Sequence, residues 1–206
     1  MIGLIAKKVG MTQVFDDAGN LTPVTVMRVD PNIVIAKKSK EKDGYNAVVI
    51  GVDDQKESRV NKPYAGQFPE NITLKKRIKE LRDFEKEAAV GSSLGVEVLD
   101  GIRYVDVSGV SKGKGFQGVV KRYGFGGGRK THGSKFHREP GSTGQSTYPH
   151  KSFKNVKLPG RMGRENVTVL SLRVIKIDTE KQLVMVKGAV PGINKGLVFV
   201  RAAVKR

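Results

Sequence analysis

The sequence predicts a mainly β fold, a sandwich or a barrel, that is interrupted by one basic, glycine-rich arm. Short runs of β-branched residues with turn residues between them predict the strands. Residues 111–164, here called the arm, hold 13 of the 38 Lys and Arg residues, 12 of the 25 glycines and one acid, Glu139. The arm has one leucine and no isoleucine, so it is too poor in apolar residues to form a core of its own.

The strands of the remaining body are predicted from its apolar runs. Ile2, Leu4 and Ala6 alternate with other residues, as in a strand with one buried face. Further strands are predicted at residues 12–15, 24–29, 33–35, 47–52, 104–107, 167–174, 183–186 and 197–200, and turns at 16–20 and 30–32. Strands on both sides of the arm must pair to close the fold, so the arm is predicted to be an insertion and not a tail.

One stretch of the body has a helical period. Leu74, Ile78 and Leu81 are spaced four and three residues apart, with Lys and Arg between them, which predicts a helix over residues 73–82. The basic residues of this stretch are interleaved with acids. A solvated helix face therefore explains them at least as well as a nucleic-acid contact does.

The net charge points to an anionic partner. It is +18 for the whole chain, and the arm, with 13 basic residues and one acid, supplies +12 of it. Such a charge repels itself in a compact state unless nucleic acid, an acidic protein or an anionic membrane surface neutralises it.

The absence of cysteine excludes a disulfide scaffold, a Cys-ligated zinc site and a thiol nucleophile. No apolar stretch approaches a membrane span of about 20 residues, and no signal peptide is evident, so a cytosolic protein is expected.

Motifs that would indicate an enzyme are incomplete. Gly113–Gly118 matches G-x-G-x-x-G after a predicted strand, but the second strand and the ribose-binding acid of a dinucleotide site are missing. A P-loop spacing fails at Arg129. His132 and His137 have only Glu139 near them, which is too few ligands for a metal. No catalytic residue, cofactor or metal is predicted, and a nucleotide-dependent or RNA-modifying enzyme stays as an alternative.

Nucleic-acid binding fits the arm better. Its basic residues come at near-regular intervals with six aromatic residues between them; Lys and Arg neutralise phosphates, and aromatic rings can stack on unpaired bases. Without a helix-turn-helix, basic zipper or zinc finger, folded RNA is favoured over duplex DNA. A DNA-compacting protein and a merely solvated loop remain alternatives. The predicted RNA-binding residues are Lys112, Lys114, Phe116, Lys121, Arg122, Arg129, Lys130, His132, Lys135, His137, Arg138, Lys151, Lys154, Lys157, Arg161 and Arg164.

Several motifs together resemble the L-three family of large-subunit ribosomal proteins, in its bacterial form. The resemblance covers essentially the full length, and its most specific part runs from Leu99 to Arg122. The matching residues are 1–4, 8–15, 61–63, 65–66, Leu99, Asp106, Gly109, Ser111, 113–115, Gly118, Arg122, 131–134, 137–138, 140–142, 144–145, Gly160, 162–163, 167–169 and 186–192.

The resemblance implies a closed six-stranded barrel of the type shared with translation factors, with a helical excursion at about residues 61–90 and a long basic central loop inserted between barrel strands. We expect a body of residues 1–110 and 165–206, and an arm of residues 111–164.

The resemblance also implies a non-enzymatic constituent of the large ribosomal subunit in the cytoplasm. Such a protein binds 23S rRNA directly and early in assembly, and its central loop reaches toward the peptidyl transferase centre. The implied neighbours belong to the families called L-fourteen and L-nineteen. Thr147 stands where some relatives carry a methylated glutamine, so that modification is not expected.

Overall fold

The computed structural model describes residues 1–16 and 19–205. These residues form three helices of four or five residues: α1 (Lys40–Asp43), α2 (Lys62–Ala65) and α3 (Val119–Tyr123). The strands are β1 (Gly3–Phe15), β2 (Leu21–Arg28), β3 (Asn32–Lys38), β4 (Ala47–Asp54), β5 (Lys75–Arg82), β6 (Ser93–Leu94), β7 (Tyr104–Val110), β8 (Gly115–Gln117), β9 (Gly160–Met162), β10 (Asn166–Asp178), β11 (Leu183–Lys187) and β12 (Leu197–Ala202). None of the helices formed by the described residues has the length and apolar character needed to cross a bilayer.

Six strands close into an antiparallel barrel in the order β1-β12-β7-β10-β11-β2. This confirms the closed six-stranded barrel. The strands β7 and β10, which flank the arm in the sequence, pair with each other from Val110 opposite Asn166 to Tyr104 opposite Arg173. The arm is therefore an insertion between two neighbouring barrel strands. The turn predicted at residues 16–20 is closed by a hydrogen bond from the Gly19 amide to the Asp16 carbonyl, but positions 17 and 18 lie outside the described residues.

The predicted helix over residues 73–82 is wrong, because residues 75–82 form the strand β5. This strand pairs with β4 from Ala47 opposite Arg82 to Asp54 opposite Lys75, within a second sheet of order β5-β4-β3-β6. An isolated helix of ten residues is marginal in water, whereas the apolar strand β4 offers backbone partners along the whole segment. Within residues 61–90 the described helix is α2, where the Asn61 side chain accepts a hydrogen bond from the Tyr64 amide.

The barrel and the second sheet share one hydrophobic core. Leu4 and Met27 from the barrel are fully buried, and so are Ile50 and Leu81 from the second sheet. Each such side chain stabilises the fold by about 1.5–3 kcal/mol relative to an exposed position. The body is held together chiefly by this burial.

Asn32 joins the second sheet to the barrel through its side chain. It is fully buried, and its Oδ1 accepts a hydrogen bond of 2.9 Å from the Ile5 amide. Its Nδ2 donates to the carbonyls of Ile5, at 3.0 Å, and Asp30, at 2.8 Å. The Asn32 carboxamide thus makes the hydrogen bonds that a neighbouring peptide group would otherwise make with Ile5 of β1. A buried backbone N–H or C=O group requires such a partner.

Asp106 holds three barrel strands together. It lies in β7, is 2% exposed, and accepts hydrogen bonds from the Ser171 amide in β10, at 2.9 Å, and from Arg201 Nη2 in β12, at 3.1 Å. Ser171 has a φ of +53° and lies where the register between β10 and β7 shifts. The carboxylate therefore binds an amide that a β-bulge has removed from the strand ladder.

Four charged groups, Lys7 of β1, Arg28, Asp30 and Asp53, form an ion-pair cluster. Lys7 Nζ lies 2.7 Å from Asp30 Oδ2 and also contacts Asp53, and these hydrogen bonds raise the pKa of Lys7 above its ordinary value. Burial raises the pKa of Asp30. The hydrogen bond from Lys7 and the charges of Lys7 and Arg28 outweigh that effect, so the pKa of Asp30 lies below its ordinary value.

We expect Asn32→Ala to lower the free energy of unfolding by about 1–3 kcal/mol, because it leaves the buried Ile5 amide and carbonyl without partners. Urea unfolding followed by far-UV circular dichroism measures this change. Asn71→Ala, at an exposed position, is the matched control. Equal midpoints for the two variants would contradict the role of Asn32.

We expect Lys7→Met to lower stability at pH 7 by about 1 kcal/mol, with a difference from the parent protein that shrinks with acid. A carboxylate with a lowered folded pKa stabilises the fold above its unfolded pKa, which is about 4, and this contribution is lost as the pH falls through the folded pKa. Urea unfolding at pH 7, 4 and 3 tests this, with exposed Lys181→Met as control. A difference that is constant across this range would show that the Asp30 carboxylate does not respond to Lys7.

Candidate nucleic-acid interface

Residues Ser111–Glu165 form a compact unit distinct from the unit made of residues 1–110 and 166–206. The ends of this unit are tied to each other by backbone hydrogen bonds: the Ser111 amide donates to the Glu165 carbonyl at 2.9 Å, and the Arg164 amide donates to the Ser111 carbonyl at 3.2 Å. Strands β8 and β9 follow, with Phe116 directly opposite Arg161. This two-stranded sheet, the basal ribbon, gives the arm an ordered base.

The Arg122 side chain joins α3 to the segment that precedes β9, a contact called here the Arg122 clamp. Its Nη1 donates a hydrogen bond of 2.7 Å to the Leu158 carbonyl. A Cβ at Gly160 would come within 2.6 Å of the same nitrogen, so a larger residue there would displace the Arg122 guanidinium. The ring of Tyr123 lies 4.9 Å from the Arg122 guanidinium and 5.9 Å from Lys157 Nζ, at distances typical of cation–π contacts. The sequence contains no local signal for this clamp.

Beyond the basal ribbon, residues 124–159 form an irregular distal loop. The Gly128 amide donates to the His137 carbonyl at 3.1 Å, and the His137 ring nitrogen Nδ1 is 3.1 Å from the Arg129 carbonyl. A Cβ at Gly128 would overlap the Phe136 carbonyl oxygen, so the loop can cross itself only at a glycine. His137 thus contacts backbone. No cluster of three or more potential metal ligands occurs among the described residues.

Fifteen of the sixteen predicted RNA-binding side chains are exposed, and Arg122 is half-buried. Lys112 and Lys114 precede β8, Phe116 lies in it, and Lys121 and Arg122 lie in α3. Arg161 lies in β9, and Arg164 precedes β10. The remaining nine lie in the distal loop: Arg129, Lys130, His132, Lys135, His137, Arg138, Lys151, Lys154 and Lys157. The structure therefore brings the set together on one unit, although only Phe116 and Arg161 are paired across a sheet.

Basic side chains form ion pairs in the body, whereas those of the arm do not pair with any described residue. In the body, Lys38 pairs with Glu80 at 2.7 Å, and Lys75 pairs with Asp54 and is only 8% exposed. The charges of Lys38 in β3 and Lys75 in β5 are thus neutralised within the fold. None of the 13 Lys and Arg side chains of the arm forms an ion pair with a described residue. This uncompensated charge suits a polyanion whose phosphates approach from outside.

The glycine motif Gly113–Gly118 does not form a nucleotide-binding turn. Its residues 115–117 are β8, which pairs with β9, and the helix that follows, α3, has five residues. A dinucleotide site needs a strand that leads through the glycines into a helix whose N-terminus faces the pyrophosphate. The geometry gives no support to a nucleotide-dependent enzyme at this loop.

Comparison with known proteins assigns the chain to a family. Residues 76–182 match the family described as Ribosomal protein L3. The protein of Treponema denticola called Large ribosomal subunit protein uL3 is 57% identical over 206 residues, which are 100% of this chain and 99% of that protein. Proteins of the same name from Treponema pallidum (strain Nichols) and Bacillus mycoides are 59% and 48% identical, over 100% and 98% of this chain and 99% and 97% of their own length. A full-length match at this level, together with the six-stranded barrel and its basic insertion, shows that the chain belongs to the Ribosomal protein L3 family.

Proposed function

We propose that this protein is a structural, non-enzymatic constituent of the large ribosomal subunit in the cytoplasm, and that it binds 23S rRNA directly through the arm. The observation that carries the proposal is the uncompensated charge of the arm: 13 basic side chains, one acid and no internal ion pair among the described residues. The name of the relatives, Large ribosomal subunit protein uL3, supports the same assembly for this chain.

The binding mechanism is electrostatic and geometric. Each Lys or Arg that reaches a phosphate releases condensed counterions, which drives association. The basal ribbon and the Arg122 clamp set the direction in which the distal loop leaves the base of the arm. The distal loop is rich in glycine and irregular, so it suits the uneven surface of a folded RNA better than the regular groove of a duplex.

The resemblance to the family supports three finer parts of the proposal. The protein joins the rRNA early in subunit assembly, its central loop reaches toward the peptidyl transferase centre, and its protein neighbours belong to the families called L-fourteen and L-nineteen. The side chains proposed to contact rRNA are the sixteen predicted from the sequence. Arg122 among them acts mainly by positioning, because its guanidinium is held by Leu158 and Tyr123.

Competition binding tests the proposal directly. The purified protein is titrated with large-subunit rRNA fragments, with an unrelated RNA of equal length and duplex DNA as competitors, at two salt concentrations. Preference for one rRNA fragment that survives at the higher salt is the expected result. Equal binding to every polyanion, lost together as salt rises, would overturn it in favour of a DNA-compacting or generic basic protein.

Replacing Lys112, Lys114 and Lys121 together by Gln should flatten the salt dependence of rRNA binding. Each lost phosphate contact lowers the slope of log K against log salt by about 0.7–0.9, so the triple variant should lose about 2 units. Filter binding between 50 and 300 mM salt measures the slope. Replacing Lys40, Lys42 and Lys56 of the body, which are also exposed, removes the same charge and should leave the slope closer to that of the parent. Equal slopes for the two triple variants would show that these arm residues face solvent.

Amide hydrogen exchange should separate the distal loop from the barrel in the free protein. Few backbone hydrogen bonds hold the loop, Gly128 to His137 being one, so its amides should exchange orders of magnitude faster than those of β7 and β10. Addition of the preferred rRNA fragment should slow exchange at residues 124–158. Barrel-like protection of these residues without RNA would contradict this expectation.

A further inference from the structure

Phe116 is an aromatic ring that the fold leaves uncovered. It lies in β8 and is 76% exposed. Gly115 precedes it in β8 and Gly118 follows the strand, and a Cβ built at either glycine would meet no atom within 4 Å. A phenylalanine so exposed forgoes the stabilisation of about 1.5–3 kcal/mol that burial supplies.

Arg161 lies beside this ring. It is the residue of β9 directly opposite Phe116, so the two side chains share one face of the basal ribbon with Cβ atoms about 5 Å apart. Arg161 is exposed, and no hydrogen bond, ion pair or ring contact to a described residue occupies its guanidinium. The exposed Phe116 ring and the exposed Arg161 guanidinium therefore lie next to each other on the basal ribbon.

Two other aromatic residues of the arm make contacts within it. Tyr123 is contacted by Arg122, Lys157 and Phe125, and Phe136 packs against the backbone at Gly128. These rings join parts of the arm to each other. Phe116 has no such contact with a described residue. Tyr148, which is 86% exposed, also lacks one, but it lies in the irregular distal loop, whereas Phe116 lies on the basal ribbon opposite Arg161.

We propose that Phe116 and Arg161 form a nucleotide clamp, in which the Phe116 ring stacks on one unpaired base of the RNA and the Arg161 guanidinium binds a phosphate beside that base. This inference rests on the proposed function and adds to it the class of RNA recognised at the base of the arm: a nucleotide displaced from a helix. A base inside a continuous duplex has both faces covered by its neighbours and cannot stack on a side chain.

The surroundings favour RNA over a protein as the occupant. The arm contains a single acid, Glu139, and Lys112 and Lys114 lie just before β8. A protein surface that covered Phe116 would have to meet this positive charge with carboxylates. An RNA supplies both the flat apolar surface for the ring and the negative charge for the cations.

The chain contains no tryptophan, so Phe116→Trp introduces a single fluorescent reporter at the proposed clamp. Addition of the rRNA fragment preferred in the competition experiment should quench its emission strongly, because an indole stacked on a base loses fluorescence. Phe15→Trp, at a 68% exposed position of the body, is the matched control and should change little. Saturated binding of RNA with equal, small changes in both variants would overturn the clamp.

Affinity supplies a second measurement that does not depend on the reporter. Phe116→Ala should weaken binding of the same fragment about 5-fold to 100-fold, as expected for the loss of one base–aromatic stack, whereas Phe116→Tyr should bind within a few-fold of the parent. Arg161→Gln should weaken binding as well. The double variant should lose less than the product of the two single losses, because the groups hold one nucleotide. Unchanged affinity in Phe116→Ala, with intact salt-dependent binding of the parent, would reject the clamp and leave rRNA binding standing. Failure of the parent itself to prefer rRNA would instead reject the proposed function.

Discussion

The pairing of β7 with β10 is the constraint on which the rest of the structure depends, because it must form across more than fifty residues of inserted chain. Loop-closure entropy opposes that pairing, although the cost rises only slowly with loop length. Asp106 offsets part of it, since its buried carboxylate binds both the bulged amide of Ser171 and the guanidinium of Arg201. One side chain in the central strand thus secures both neighbours. Without this pairing the barrel would open at the point where the arm is inserted.

The arm shows how a segment without a hydrophobic core can still have defined local structure. Its base is held by a short ladder, by end-to-end hydrogen bonds at Ser111 and by the Arg122 contact with Leu158. These contacts involve backbone carbonyls and leave the cations of the arm without an ion pair to any described residue. Glycine is required where backbones approach closely, as at Gly128 beside the Phe136 carbonyl, and at Gly160 it leaves room for the Arg122 guanidinium. The glycine content of the arm therefore serves close packing as well as freedom of the chain.

Most strand positions and the location of the arm could be predicted from the sequence. Both signals are local: apolar residues alternate along a strand, and acidic residues are nearly absent from the basic arm. The six-stranded closure followed only from the family resemblance, since alternation does not say which strands pair. Residues 75–82 were mispredicted because apolar residues spaced three and four positions apart are typical of a helix. In this strand the same spacing arises because long cationic side chains such as Lys75, which is buried, take positions that apolar residues would otherwise occupy. The Arg122 clamp and the Phe116–Arg161 pair depend on contacts between residues about 40 positions apart, which no local pattern encodes.

The free cations of the arm have a kinetic consequence. A surface with uncompensated charge accelerates encounter with a polyanion beyond the rate of neutral partners, and this acceleration falls steeply with ionic strength. The first collisions are therefore fast and unselective, and discrimination arises later, from how quickly wrong complexes dissociate. A newly made chain will sample many RNAs for short times, and it will remain only on a site where the base of the arm also fits.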